Sequence, residues 1–157
     1  MGDYAASGGV YISTPADYIF AHPTTITGSI GVAIAFSTIE DSLEYIGISK
    51  DGVQTSKFAG WTPELPVTEE LDNIFNNLAE RSYRRFLEVV SESRKKDVSE
   101  INKIAGGRVW IGTDALQIDI IDELGGIDDA IGKAASLADI SEYQLKYSSS
   151  DVSFVET

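Results

Sequence analysis

Ile26 Thr27 Gly28 Ser29 Ile30 Gly31 Val32 Ala33 Ile34 Ala35 Phe36 is the stretch whose reading decides the fold class. From Val32 to Phe36 it is an unbroken apolar run, the pattern of a strand buried on both faces. Glycines around Ser29 predict close backbone approach at that point. Downstream, a short helix over 38–45 ends at Gly47, and Ser49 to Ser56 reads as a further strand. Strand, helix and strand in that order imply an α/β protein. Upstream, Asp17 to Ala21 reads as a strand built on Tyr18, Ile19 and Phe20, and His22 Pro23 Thr24 Thr25 is turn chemistry.

Further upstream lies Met1 Gly2 Asp3 Tyr4 Ala5 Ala6 Ser7 Gly8 Gly9 Val10 Tyr11 Ile12, a run in which one hydroxyl is flanked by residues with almost no side chain. Bare backbone lets a substrate approach, and glycine adopts dihedrals closed to other residues. Ser7 therefore has two readings, a presented nucleophile or the N-cap of a helix that starts at Gly8 and stops near Thr14 and Pro15. The two are compatible, because a helix N-terminus aims amide N–H groups and a positive dipole end at the same place.

Beyond Ser56, Phe58 to Pro66 holds Gly60, Trp61, Pro63 and Pro66 and reads as an irregular loop. Thr68 caps the longest helix, with Glu69 and Glu70 in its first turn. Leu71, Ile74, Phe75, Leu78, Phe86, Val89 and Val90 recur at helical spacing on one face, and the helix ends near Lys95 and Lys96. Asp97 and Glu100 have capping-box spacing for the next helix, closed by Gly106 and Gly107. The remainder alternates: strand 108–111, helix 113–117, strand 118–122, helix 127–137 and strand 143–147. The serine-bearing part of the fold is expected to occupy residues 1–147, with 148–157 as a flexible tail.

The 157 residues suit one domain with a real core, and 43% apolar with 24% charged residues is ordinary for a globular chain. Twenty-five acidic against 12 basic residues give a net charge of −13, which argues against nucleic acid as a partner. With no cysteine there is no disulfide, thiol nucleophile or thiolate metal site. No apolar run approaches the ~18 residues of a membrane span, and no signal-peptide pattern opens the chain.

Ser7 needs an activator. His22 is the sole histidine and sits in a turn, where a structural role is expected. Ala5 to Gly9 is similar to a nucleophile elbow, yet that arrangement needs a late histidine, which this chain lacks. Asp128 and Asp129 open a helix, where acidic residues need no metal; no metal and no cofactor are expected. A lysine can serve instead if desolvated enough to be neutral. Lys57, beside Phe58 at the end of an expected strand, is the candidate, and an ordinary solvated lysine is the competing reading.

Met1 to Gly9 also resembles the nucleophile segment of the protease IV family, the bacterial signal peptide peptidase A family. Ser13 to Ala21, Thr25 to Gly31, Gly107 to Gly112, Asp122 to Gly125 and Asp128 to Ala130 resemble it in the same order, so that the likeness spans nearly all of residues 1–140. The resemblance implies a Clp protease/crotonase-like α/β fold and a serine/lysine dyad. Ser7 falls on the nucleophile, Gly8 on an oxyanion-hole amide and Ser29 on a serine that hydrogen-bonds the catalytic lysine. It further implies ring or dome homo-oligomers at the bacterial cytoplasmic membrane, with the catalytic domain outside the cytoplasm, that cut apolar signal peptides left after export.

Two departures follow. The chain opens at the nucleophile, so the fold is expected to be incomplete at its N-terminus: either it is a fragment lacking the N-terminal half of a parent protein, or a partner completes the sheet. Residues from Ser13 through Ser56 look more like the C-terminal half of a double-length member, in which the other half supplies the lysine; Lys57 nonetheless lies near the position that single-length members use. The expected function is a serine endopeptidase acting on cleaved signal peptides. The alternatives are an assembly module inert without the missing part and a crotonase-like acyl-CoA hydratase.

Overall fold

A computed structural model describes residues 1–146. The elements in chain order are β1 (Tyr4–Ala6), α1 (Gly8–Ser13), β2 (Phe20–Ala21), β3 (Ile26–Gly28), α2 (Glu40–Tyr45), α3 (Glu69–Arg94), α4 (Val98–Ile104), β4 (Val109–Ile111), α5 (Gly112–Gln117), β5 (Glu123–Leu124) and α6 (Ile127–Leu137). β1 runs parallel to β3, which pairs antiparallel with β4; β2 runs parallel to β5. Helices alternate with mostly parallel strands, as the α/β reading expects.

The core lies between these strands and the second half of α3. Phe86, Leu87 and Val90 on α3 meet Val10, Ile30, Ile101 and Ile121, each such side chain contributing about 1.5–3 kcal/mol on burial. Buried hydroxyls are satisfied rather than orphaned, since Thr27 Oγ1 donates to the Ala5 carbonyl and Thr25 Oγ1 to that of Gly2, both at 2.9 Å. Thr68 Oγ1 accepts the Leu71 N–H, and α3 closes at Lys95, which takes φ 51°. Arg94, one residue earlier, grips Asp122 with two hydrogen bonds of 2.7 and 3.1 Å, and Asp122 also accepts the Ile19 N–H at 2.8 Å. Burial tends to raise the Asp122 carboxyl, but the Arg94 and Ile19 hydrogen bonds and the Arg94 and Lys133 charges outweigh it and hold it below its ordinary value.

Several expectations need correction. Val32 to Phe36 is not a buried strand: the ladder stops at Gly28, and Val32, Ile34 and Phe36 are exposed. Ser49 to Ser56 is not a strand either; it is exposed and finds no strand to pair with among the described residues. The strand expected over 17–21 shrinks to Phe20–Ala21. That over 118–122 moves to Glu123–Leu124, because the Ile120 N–H turns back to the Ala115 carbonyl at 2.8 Å and closes α5 instead. No strand forms over 143–146; Tyr147 and the expected tail lie outside the described residues. On α3, Ile74 and Leu78 share the apolar face yet are exposed.

Candidate active site

Parallel pairing places Ala6 opposite Gly28, so the residues that leave the two strands at their carboxyl ends are Ser7 and Ser29. Ligands of α/β sheets gather at such ends. Both serines take φ 52°, a left-handed conformation rare outside glycine, and Ser7 has ψ −111°. Ser7 is held there by its N–H donating to the Gly28 carbonyl at 2.8 Å, while its carbonyl accepts from Tyr11 N–H at 3.0 Å as α1 begins. It occupies the N-cap position, yet its side chain makes no cap hydrogen bond. The strand, strained serine and helix form a sharp strand-to-helix turn, a geometry that can present a nucleophile. Gly8, the first residue of α1, has an N–H with no earlier helical carbonyl to meet.

Ser7 and Ser29 line one cleft of about 650 Å³, together with Gly31 to Ala33 and with Tyr83, Gly106 and Gly107. The close backbone approach expected around Ser29 is present. A Cβ on Gly28 would lie 2.6 Å from Trp110 Cδ1, and one on Gly31 would lie 2.8 Å from the Gly107 nitrogen. Ser29 N–H donates to the Arg108 carbonyl at 2.6 Å, which fastens this serine to the turn before β4. A second cleft of about 660 Å³, bordered by Thr14, Asp17, Arg85 and Arg94, holds the paired Arg94 and Asp122 instead.

Lys57 is not brought to Ser7. It is exposed, pairs with Glu70 at the start of α3, and lines a different, apolar cleft with Trp61 and Leu71. His22 lies in the turn, its backbone N–H donating to Thr25 Oγ1 at 2.9 Å, and it lines yet another cleft, away from Ser7. Among the described residues no group of three His, Cys, Asp or Glu could hold a metal ion, and no helix is long and apolar enough to cross a membrane.

The sequence reading missed Tyr83, and it gave Gly106 and Gly107, taken for a helix stop, no place in the site. A signal existed, because Tyr83 is in helical phase with Phe86, Leu87 and Val90, so the stripe that faces the core carries one hydroxyl.

Ser7, strained between a parallel strand and a helix and facing a cleft at the strand ends, is set where a serine can act as a nucleophile. The chain belongs to Peptidase family S49, whose sequence profile matches residues 1–141. It is 44% identical over 147 residues to Protease 4 of Salmonella typhi, which covers 94% of this chain and 24% of that protein. It is 38% identical to Protease 4 of Haemophilus influenzae, covering all of this chain and 27% of that protein. With the chloroplastic serine protease SPPA of Arabidopsis thaliana the identity is 37%, over 89% of this chain and 21% of that protein. The chain thus spans about a quarter of the length of these relatives.

Proposed function

We propose that the chain carries the nucleophile of a serine endopeptidase that hydrolyses peptide bonds in cleaved signal peptides, on a Clp protease/crotonase-like arrangement of its α/β elements. The observation that carries this reading is Ser7 itself: a non-glycine residue at φ 52°, its hydroxyl unused by the helix it opens, in one cleft with Ser29. Ser7 Oγ attacks the peptide carbonyl carbon and its proton passes to a neutral amine. The Gly8 N–H donates to the oxyanion, a contribution of about 2.7–4 kcal/mol for one such donor. The C–N bond then breaks as the amine returns the proton to the leaving nitrogen, and water releases the acyl group. Ser29 orients the amine through its hydroxyl. The parent protein is a homo-oligomer at the bacterial cytoplasmic membrane with its site outside the cytoplasm, and its substrates are extended apolar peptides.

The position of Lys57, paired with Glu70 in another cleft, favours an amine supplied from elsewhere in the parent protein, with the 157-residue chain by itself an inert assembly module. Lys57→Ala in the parent separates the two sources: unchanged peptide cleavage assigns the base elsewhere, and lost cleavage returns it to Lys57. For the reaction class, a serine-directed phosphonate should label the parent protein at Ser7, and cleavage that persists in Ser7→Ala rejects the reading.

A further inference from the structure

Tyr83 reaches the Ser7 cleft from α3, and the chemistry above gives its hydroxyl no part. That hydroxyl donates to Asn102 Oδ1 at 2.7 Å and accepts the Gly106 N–H at 3.1 Å. A phenol has a single proton, so the Asn102 bond fixes the direction of the O–H and leaves a lone pair for Gly106. Gly106 is exposed, and water would satisfy its N–H if Tyr83 did not, so this bond adds position more than stability. Gly106 and Gly107 take φ 69° and 77°. From this turn, backbone bonds lead to both serines. The Gly107 N–H donates to the Ile30 carbonyl at 3.0 Å, the Arg108 carbonyl accepts from Ser29 at 2.6 Å, and the Gly28 carbonyl accepts from Ser7 at 2.8 Å.

We propose that Tyr83 is a positioning residue: through the Gly106–Arg108 turn it fixes Ser29 in its φ 52° conformation and so sets where the Ser29 hydroxyl stands relative to Ser7. The inference rests on Ser7 being the nucleophile. The test is steady-state peptide cleavage by the full-length parent protein and its Ser7→Ala, Ser29→Ala, Tyr83→Phe, Asn102→Ala and Ser29→Ala/Tyr83→Phe variants. Tyr83→Phe keeps the ring that packs on the core and should lower kcat about three- to tenfold, with KM little changed. In the Ser29→Ala background it should cost nothing further, because residues that act through one another are not additive. Asn102→Ala, which leaves Tyr83 in place, should lower kcat by a smaller factor. A Tyr83→Phe loss that multiplies that of Ser29→Ala, or a raised KM at constant kcat, overturns the inference while leaving Ser7 in place. Cleavage that survives Ser7→Ala removes the nucleophile reading itself.

Discussion

Residues 1–30 and 83–124 share one core, whereas residues 32–58 are about as rich in apolar side chains for their length and leave nearly all of them in the open. Ile30 and Ile101 are 0% and 1% exposed; Tyr45 and Val53 are 92% and 103% exposed. The open region is not without order. Phe36, Trp61 and Phe75 cluster edge-to-face and tilted with ring centroids 4.1 to 6.2 Å apart, and Lys50 Nζ ties Thr62 and Glu64 at 2.6 and 3.0 Å. What the contrast teaches is that an apolar run records that a surface is to be buried, not by what. Both serines of the site stand on the packed side of this divide, and Lys57 stands on the open side.

That divide can be broken by substitution. The largest effect is expected at Gly112, where a Cβ would run into the His22 carbonyl oxygen; Gly112→Ala should cost about 4 kcal/mol or more in urea unfolding. Ile101→Ala should cost about 2–5 kcal/mol through the cavity it leaves, while Ile48→Ala in the open region should stay within about 0.5 kcal/mol. Equal losses at the two isoleucines would erase the distinction.

Asp122→Asn should cost about 1.5–3 kcal/mol, because it leaves the half-buried Arg94 guanidinium without its carboxylate. The sign of its pH dependence follows from a folded-state value held below the ordinary carboxylate. The stabilisation is present above the unfolded value and is lost on acidification, as pH falls through the folded one. Thermal unfolding should therefore show a shallower acid decline in Asp122→Asn than in the unaltered chain. Smallest of all, Lys57→Ala should alter stability by less than about 0.5 kcal/mol, as its partner Glu70 is also on the surface.

Where local chemistry sufficed, the sequence was legible. Thr68 caps α3, the Glu100 carboxylate reaches back to the Asp97 N–H, and Asp129 does the same for the Gly126 N–H at the start of α6. Strands were harder, because a strand exists only with a partner. Ile120 and Ile121 are buried as an apolar run should be, yet their backbone closes α5 and the ladder begins two residues later. At the site, the small residues around Ser7 left a presented hydroxyl and a helix N-cap both open; Ser7 takes the N-cap position with no side-chain cap hydrogen bond, and the same small residues flank the strained turn. The pairing of Ser7 with Ser29 across two parallel strands depends on register, which their separation of more than twenty residues does not encode locally. Tyr83 was hidden in the same way, its phase visible and its target, Gly106, not.

The central claim is that Ser7 is the reacting residue. Mass spectrometry of the parent protein after treatment with a serine-directed phosphonate measures it most directly. The adduct is expected on Ser7 and should be absent from Ser7→Ala, together with peptide cleavage; an adduct on another residue with cleavage intact in Ser7→Ala would contradict the account.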